Sequence, residues 1–217
     1  MLSFTSCALW IMCALVLALP WIRFLPPGPG SAGASSAAYV APLVVCAVAH
    51  EACRRALWLL QTRWTTDALE KIARHFGYRR VSSCDRMSMS LAWGFGQGVA
   101  HCIFFFASNA FLSQGPGTYY IDSCPHVPFF LATALTSLAF VAIHTAIMLL
   151  VSYDHGPMGT SQYVFVHGAQ VFSCLLTLGN LYPGGCVIVL PTLLAIAMAL
   201  MSCAATLFLS TATITTR

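Results

Sequence analysis

From Phe129 to Ser152 the chain runs 24 residues without a formal charge, yet with His144 inside the run. At about 1.5 Å per residue such a helix is about 36 Å long, enough to cross a hydrocarbon core of about 30 Å. Counting back from His144, Ser137 lies seven residues away and Thr133 eleven, so the three polar groups share one helix face. That face is expected to look into protein, because an imidazole at this depth loses its water and needs a partner on another helix or at a wet cavity. A neutral histidine that holds helices together is the expected role. Proton transfer, metal or haem chemistry is the competing one.

The rest of the composition agrees with a membrane setting. Hydrophobic residues make up 59% of the 217 and charged residues 7%, too few charges to solvate a soluble globule of this size. The fold class expected is all-α, a polytopic helical bundle forming one integral membrane domain over residues 1–217. Apolar runs suggest six spans, near 4–22, 37–60, 87–112, 128–152, 161–181 and 185–209. With six spans both termini share a side. Arg54, Arg55, Arg63, Lys71, Arg74, Arg79, Arg80, Arg86 and Arg217 fall on it, against Arg23 alone on the other, so both ends are expected in the cytosol. The net charge of +4 then reflects membrane orientation rather than nucleic-acid binding.

Thr5 to Trp21 is short enough for a signal peptide, but it has no basic n-region and a long apolar core, so retention is expected. In the second run Glu51 precedes Arg54 and Arg55 by three and four residues, which suggests an ion pair near the membrane interface with the arginine stems reaching toward headgroups. Residues 61–86 read as a cytosolic loop. Within it Thr65, Leu69, Ile72 and Phe76 mark a short amphipathic helix, Asp67 and Glu70 resemble a capping box, and Gly77 supplies a stop. That helix is expected to rest on acidic headgroups.

The third span carries Gly94 and Gly98 at small-xxx-small spacing, extended by Cys102, the pattern that lets another helix backbone approach closely. His101 and Asn109 lie on or beside that seam. The fifth span carries Tyr163, His167, Gln170, Cys174 and Thr177 along one face, with His144 and His101 or Asn109 as expected partners across a polar centre. Of the ten cysteines most lie in apolar runs and behave as small hydrophobes. Cys124 and Cys186 stand near non-cytosolic span ends, where a bridge is chemically open, although sequence spacing cannot supply the distance it requires. Tyr153-Asp154 ends a span and lacks the Gly-x-Gly-Asp companion of an intramembrane aspartyl protease, so no catalytic role is assigned to it.

Taken in order, four blocks resemble the anterior pharynx-defective family, the polytopic scaffold subunit of γ-secretase. They are His50-Glu51-Ala52-Cys53-Arg54 with Ala56 to Leu60, the glycine span Trp93 to Asn109, Gly115-Pro116-Gly117 with Tyr119-Tyr120, and Ala142-Ile143-His144-Thr145. The likeness covers roughly residues 40 to 210. Cys102 stands where the family has a third glycine, and the family's second intramembrane histidine falls on Gln170, with His167 one turn earlier. The family has seven spans, so the first run here matches its second.

The resemblance implies a chain that performs no chemistry and needs no cofactor or metal. It would assemble a presenilin-like protease, a nicastrin-like glycoprotein and a small accessory subunit in endomembranes (endoplasmic reticulum and Golgi) and the plasma membrane, with the Gly94/Gly98 ridge taking a partner helix. A small channel or transporter with a histidine-lined centre is the alternative from another class.

Overall fold

The computed structural model describes residues 7–8, 37–78, 82–108, 120–152 and 160–215. Five α-helices account for most of them: α1 Ala37–Phe76, α2 Ser83–Ser108, α3 Phe129–Ser152, α4 Thr160–Leu176 and α5 Cys186–Thr215, with a 3-10 turn at Thr177–Leu181 after α4. Among the described residues four segments are long and apolar enough to cross a membrane: Cys84–Ala107, Phe129–Ser152, Val164–Leu181 and Cys186–Ser210. Apart from Cys7 and Ala8, the expected first span at 4–22 lies outside the described residues, as do Asn109, Gly115 to Gly117, Arg79, Arg80 and Tyr153-Asp154.

Helix α1 corrects one expectation. The second apolar run and the short amphipathic helix after it form one uninterrupted helix of 40 residues, about 60 Å long. No glycine or proline stands between Gln61 and Phe76, and the Thr62 hydroxyl folds back onto the Trp58 carbonyl at 2.7 Å, so nothing in the change of composition breaks the hydrogen-bond ladder. Asp67 and Glu70 are mid-helix and cap nothing. The stop falls at Gly77: its φ of +67° is left-handed, and the Tyr78 N–H donates to the Ala73 carbonyl at 2.9 Å, the six-to-one bond of a Schellman cap. The capping box is found at the next helix start. There the Ser82 N–H donates to Asp85 Oδ2 at 2.8 Å, while the Asp85 N–H donates to Ser82 Oγ at 3.2 Å.

Helix α3 sits at the centre. Every residue from Ile143 to Leu150 is buried, all the way round the helix, which only a rod with neighbours on all sides can do. On one flank it packs against α5 through Val189, Leu193, Ala197, Leu200 and Ala204, spaced by four, four, three and four. Its other flank meets α2. Helix α5 runs through Pro191.

At one end of the bundle a strap from Ile121 to Val127 is tied to the start of α5. Cys124 and Cys186 form a disulfide with Cα atoms 5.4 Å apart, and the N–H groups of Gly184 and Cys186 donate to the carbonyls of Asp122 and Ser123 at 2.9 and 3.0 Å. The bridge that spacing left open is therefore formed.

Candidate functional site

Three groups of residues converge on the bundle interior, and the first is the glycine seam. A Cβ on Gly94 would lie 2.8 Å from Met148 Cβ and 2.9 Å from Thr145 Cα; one on Gly98 would lie 2.7 Å from Val141 Cα. One turn further, the Cys102 thiol donates to the Ser137 carbonyl at 3.5 Å. Positions on α2 rise as those on α3 fall, so the two helices are antiparallel and their backbones touch. The seam exists as expected, but its occupant differs: the chain's own α3 fills it, and no groove is left there for a partner helix. Small-residue spacing specifies close approach without saying whose backbone approaches.

The second group is a set of imidazoles. His144 is wholly buried and stacks on His50 of α1, ring centroids 5.1 Å apart, with His101 of α2 at 5.4 Å. His101 in turn leans on Phe140 at 4.7 Å. Neither ring nitrogen of His144 has a hydrogen-bond partner among the described residues. The structure brings His144 and His101 together, with His50 beside them. No group of three histidine, cysteine or acidic side chains is placed to hold a metal ion among the described residues.

The third group surrounds Glu51. Its Oε2 accepts from the Arg54 guanidinium one turn away on α1 and from His167 Nδ1 of α4 at 2.6 Å. An ionised carboxylate can only accept, so against ionised Glu51 the His167 Nδ1 is the donor. Arg54 is 2% exposed and Glu51 7%, whereas Arg55 is exposed. This corrects one expectation, since Arg54 turns into the bundle and does not reach for headgroups, and it gives His167 a partner, Glu51, that the sequence does not point to. Burying one carboxylate and one guanidinium is tolerable because they meet each other and an imidazole; singly, each charge would be costly. Gln170 is buried one turn beyond His167 and its amide donates to Cys174 Sγ at 3.9 Å. The side chain of Tyr163 lies outside what the structure describes.

Two interior residues escaped the sequence reading. His50 was visible as part of a face: Ala47, Glu51 and Arg54 are buried at helical spacing with it, while Val48, Ala52 and Arg55 point outward. Gln97 is fully buried on α2 between Trp93 and His101, and a single glutamine among glycines carries no burial signal of its own. Trp93 meets Trp58 of α1 edge-on at 6.0 Å, which closes α1 onto α2.

Membrane-length helices with an ion pair and imidazoles turned inward define a multi-pass membrane protein. The chain belongs to the Aph-1 family, whose model matches residues 1–210. The gamma-secretase subunit APH1-like of Arabidopsis thaliana is 33% identical over 194 residues, covering 89% of this chain and 75% of that protein.

Proposed function

We propose that this chain is a non-catalytic scaffold subunit of a γ-secretase-type intramembrane aspartyl protease complex. In that role it holds a presenilin-like protease, a nicastrin-like glycoprotein and a small accessory subunit. The observation that carries this reading is membership of the Aph-1 family over nearly the whole chain, with a relative that is a γ-secretase subunit by name. Within the reading the chain has six spans in one membrane domain, cytosolic termini, and residence in the endoplasmic reticulum, Golgi and plasma membrane. His144, His101, the His167/Gln170 turn and the Glu51–Arg54 pair keep the scaffold rigid, and the Gly94, Gly98, Cys102 seam locks α2 to α3.

Because α3 closes the glycine seam, partners dock on outward apolar faces. Val164, Phe165 and Phe172 of α4 and Val45 and Val48 of α1 are all exposed and supply such faces. Affinity purification of the tagged chain in mild detergent, followed by mass spectrometry, tests the proposal. A polytopic Gly-x-Gly-Asp protein in the eluate is the expected result, and its absence from a stable preparation of the chain refutes the scaffold role.

One observation favours a second reading. Buried atoms on Glu51, Gln97, Ser137, His144 and Gln170 that have no hydrogen-bond partner among the described residues give the interior the chemistry of a wet path, as in a channel or transporter. Proton or solute flux into liposomes holding the chain alone distinguishes it from a scaffold, which is silent.

A further inference from the structure

At the end of the bundle that carries the Cys124–Cys186 bridge there is a cavity of about 470 Å³, within the size range of small-molecule sites. Its walls come from all five helices, the 3-10 turn and the strap, and His101 lines it on the side of the imidazole cluster. No lysine, arginine, aspartate or glutamate lines it among the described residues. From these residues an anionic ligand gets no countercharge and a cation no carboxylate, so they do not compensate a charged occupant for its lost hydration.

The three threonines at the wall are alike. The hydroxyl of Thr133 donates to the Phe129 carbonyl at 2.8 Å, that of Thr136 to Ala132 at 2.8 Å, and that of Thr177 to Cys174 at 2.6 Å. With those protons committed, each threonine oxygen offers the cavity only lone pairs. Asn180 adds Oδ1, a buried acceptor with no partner among the described residues. A group that pairs with Asn180 Oδ1 must therefore bring a donor. Much of the remaining wall is hydrocarbon, including Leu43, Phe105, Phe129, Val189 and Leu190. Water alone fits this poorly: the volume corresponds to about 15 waters, each wanting two to four polar partners, and most would face apolar side chains.

We propose that this cavity is a binding site for an uncharged amphiphile, a hydrocarbon body bearing a hydroxyl group that donates to Asn180 Oδ1, with the threonine oxygens as neighbouring acceptors. A membrane sterol and a monoacylglycerol share that chemistry.

The test uses the full chain in phosphatidylcholine nanodiscs with four photoreactive, clickable probes: a 3-hydroxysterol, its 3-keto counterpart, a monoacylglycerol and the fatty acid of the same chain length. Saturable labelling within 120–136 or 177–190 is expected from a hydroxyl-bearing probe, and whichever of the two labels identifies the source. The ketone and the fatty acid should label weakly. Asn180→Leu should weaken labelling about three- to tenfold, the size of one lost hydrogen bond. Thr136→Val keeps the shape of the wall and removes an acceptor, so a smaller fall in the same direction is expected and remains readable if Asn180→Leu does not fold. Equal labelling by ketone or fatty acid, labelling unchanged in both variants, or no saturable labelling at all overturns the proposal. The last result leaves a cavity filled by water.

Discussion

The Nδ1 of His167 lies 2.6 Å from Oε2 of Glu51, across 116 residues of sequence, and joins α4 to the one buried carboxylate–guanidinium pair described in the bundle. The contact makes Glu51 the residue on which the α1–α4 interface depends. Removing one partner of a buried pair strands the other charge, at a cost of about 3–5 kcal/mol. Glu51→Leu is therefore expected to destabilise the purified chain strongly in thermal unfolding. The double variant Glu51→Leu/Arg54→Leu should recover part of the loss, since it leaves no charge unpaired. If the double variant equals the sum of the two single ones, the pair does not act as a unit.

The glycine seam predicts a contrast between positions. Gly98→Ala puts a methyl group 2.7 Å from Val141 Cα, backbone that cannot turn aside, so overpacking should cost about 1–3 kcal/mol. Gly168→Ala, where a Cβ meets nothing within 4 Å, should be neutral or gain up to about 1 kcal/mol from helix propensity. Melting temperatures of the two variants in one detergent give the comparison; equal shifts would show that α2 and α3 are not in backbone contact.

His144→Leu removes a ring stacked on His50 and close to His101. The expected outcome is less assembled complex at an unchanged level of transcript, read on blue-native gels beside protease activity. Wild-type assembly together with wild-type activity would remove His144 from the proposed scaffold role.

The disulfide spans 62 residues and fastens the strap to α5. Cys124→Ala is expected to cost about 2–4 kcal/mol and to make Cys186 available to a maleimide reagent under non-reducing denaturation. Wild-type protein should leave both thiols unlabelled until reductant is added.

What could be seen in the sequence depended on how local the cause was. The uncharged run at Phe129–Ser152 and the inward face of Thr133, Ser137 and His144 follow from periodicity within one helix, and all three residues are buried. The seam at Gly94 and Gly98 was legible as a close approach, while its occupant was not, because α3 lies some 45 residues on and small residues carry no address. Arg54 was misread for a related reason. A charge at the end of an apolar run looks interfacial until its distant partners are known, and His167 could not be inferred from the neighbourhood of Glu51. Around Gln61 a shift in composition suggested a break in α1, but composition changes solvation, whereas only backbone chemistry ends a helix.

That unbroken α1 makes the chain a lever. The amphipathic half and the half bearing His50, Glu51 and Arg54 share one axis with no glycine or proline between His50 and Phe76. A force applied at the Phe76 end is delivered to the buried acid and its imidazole at α4, so whatever grips that end also strains the centre.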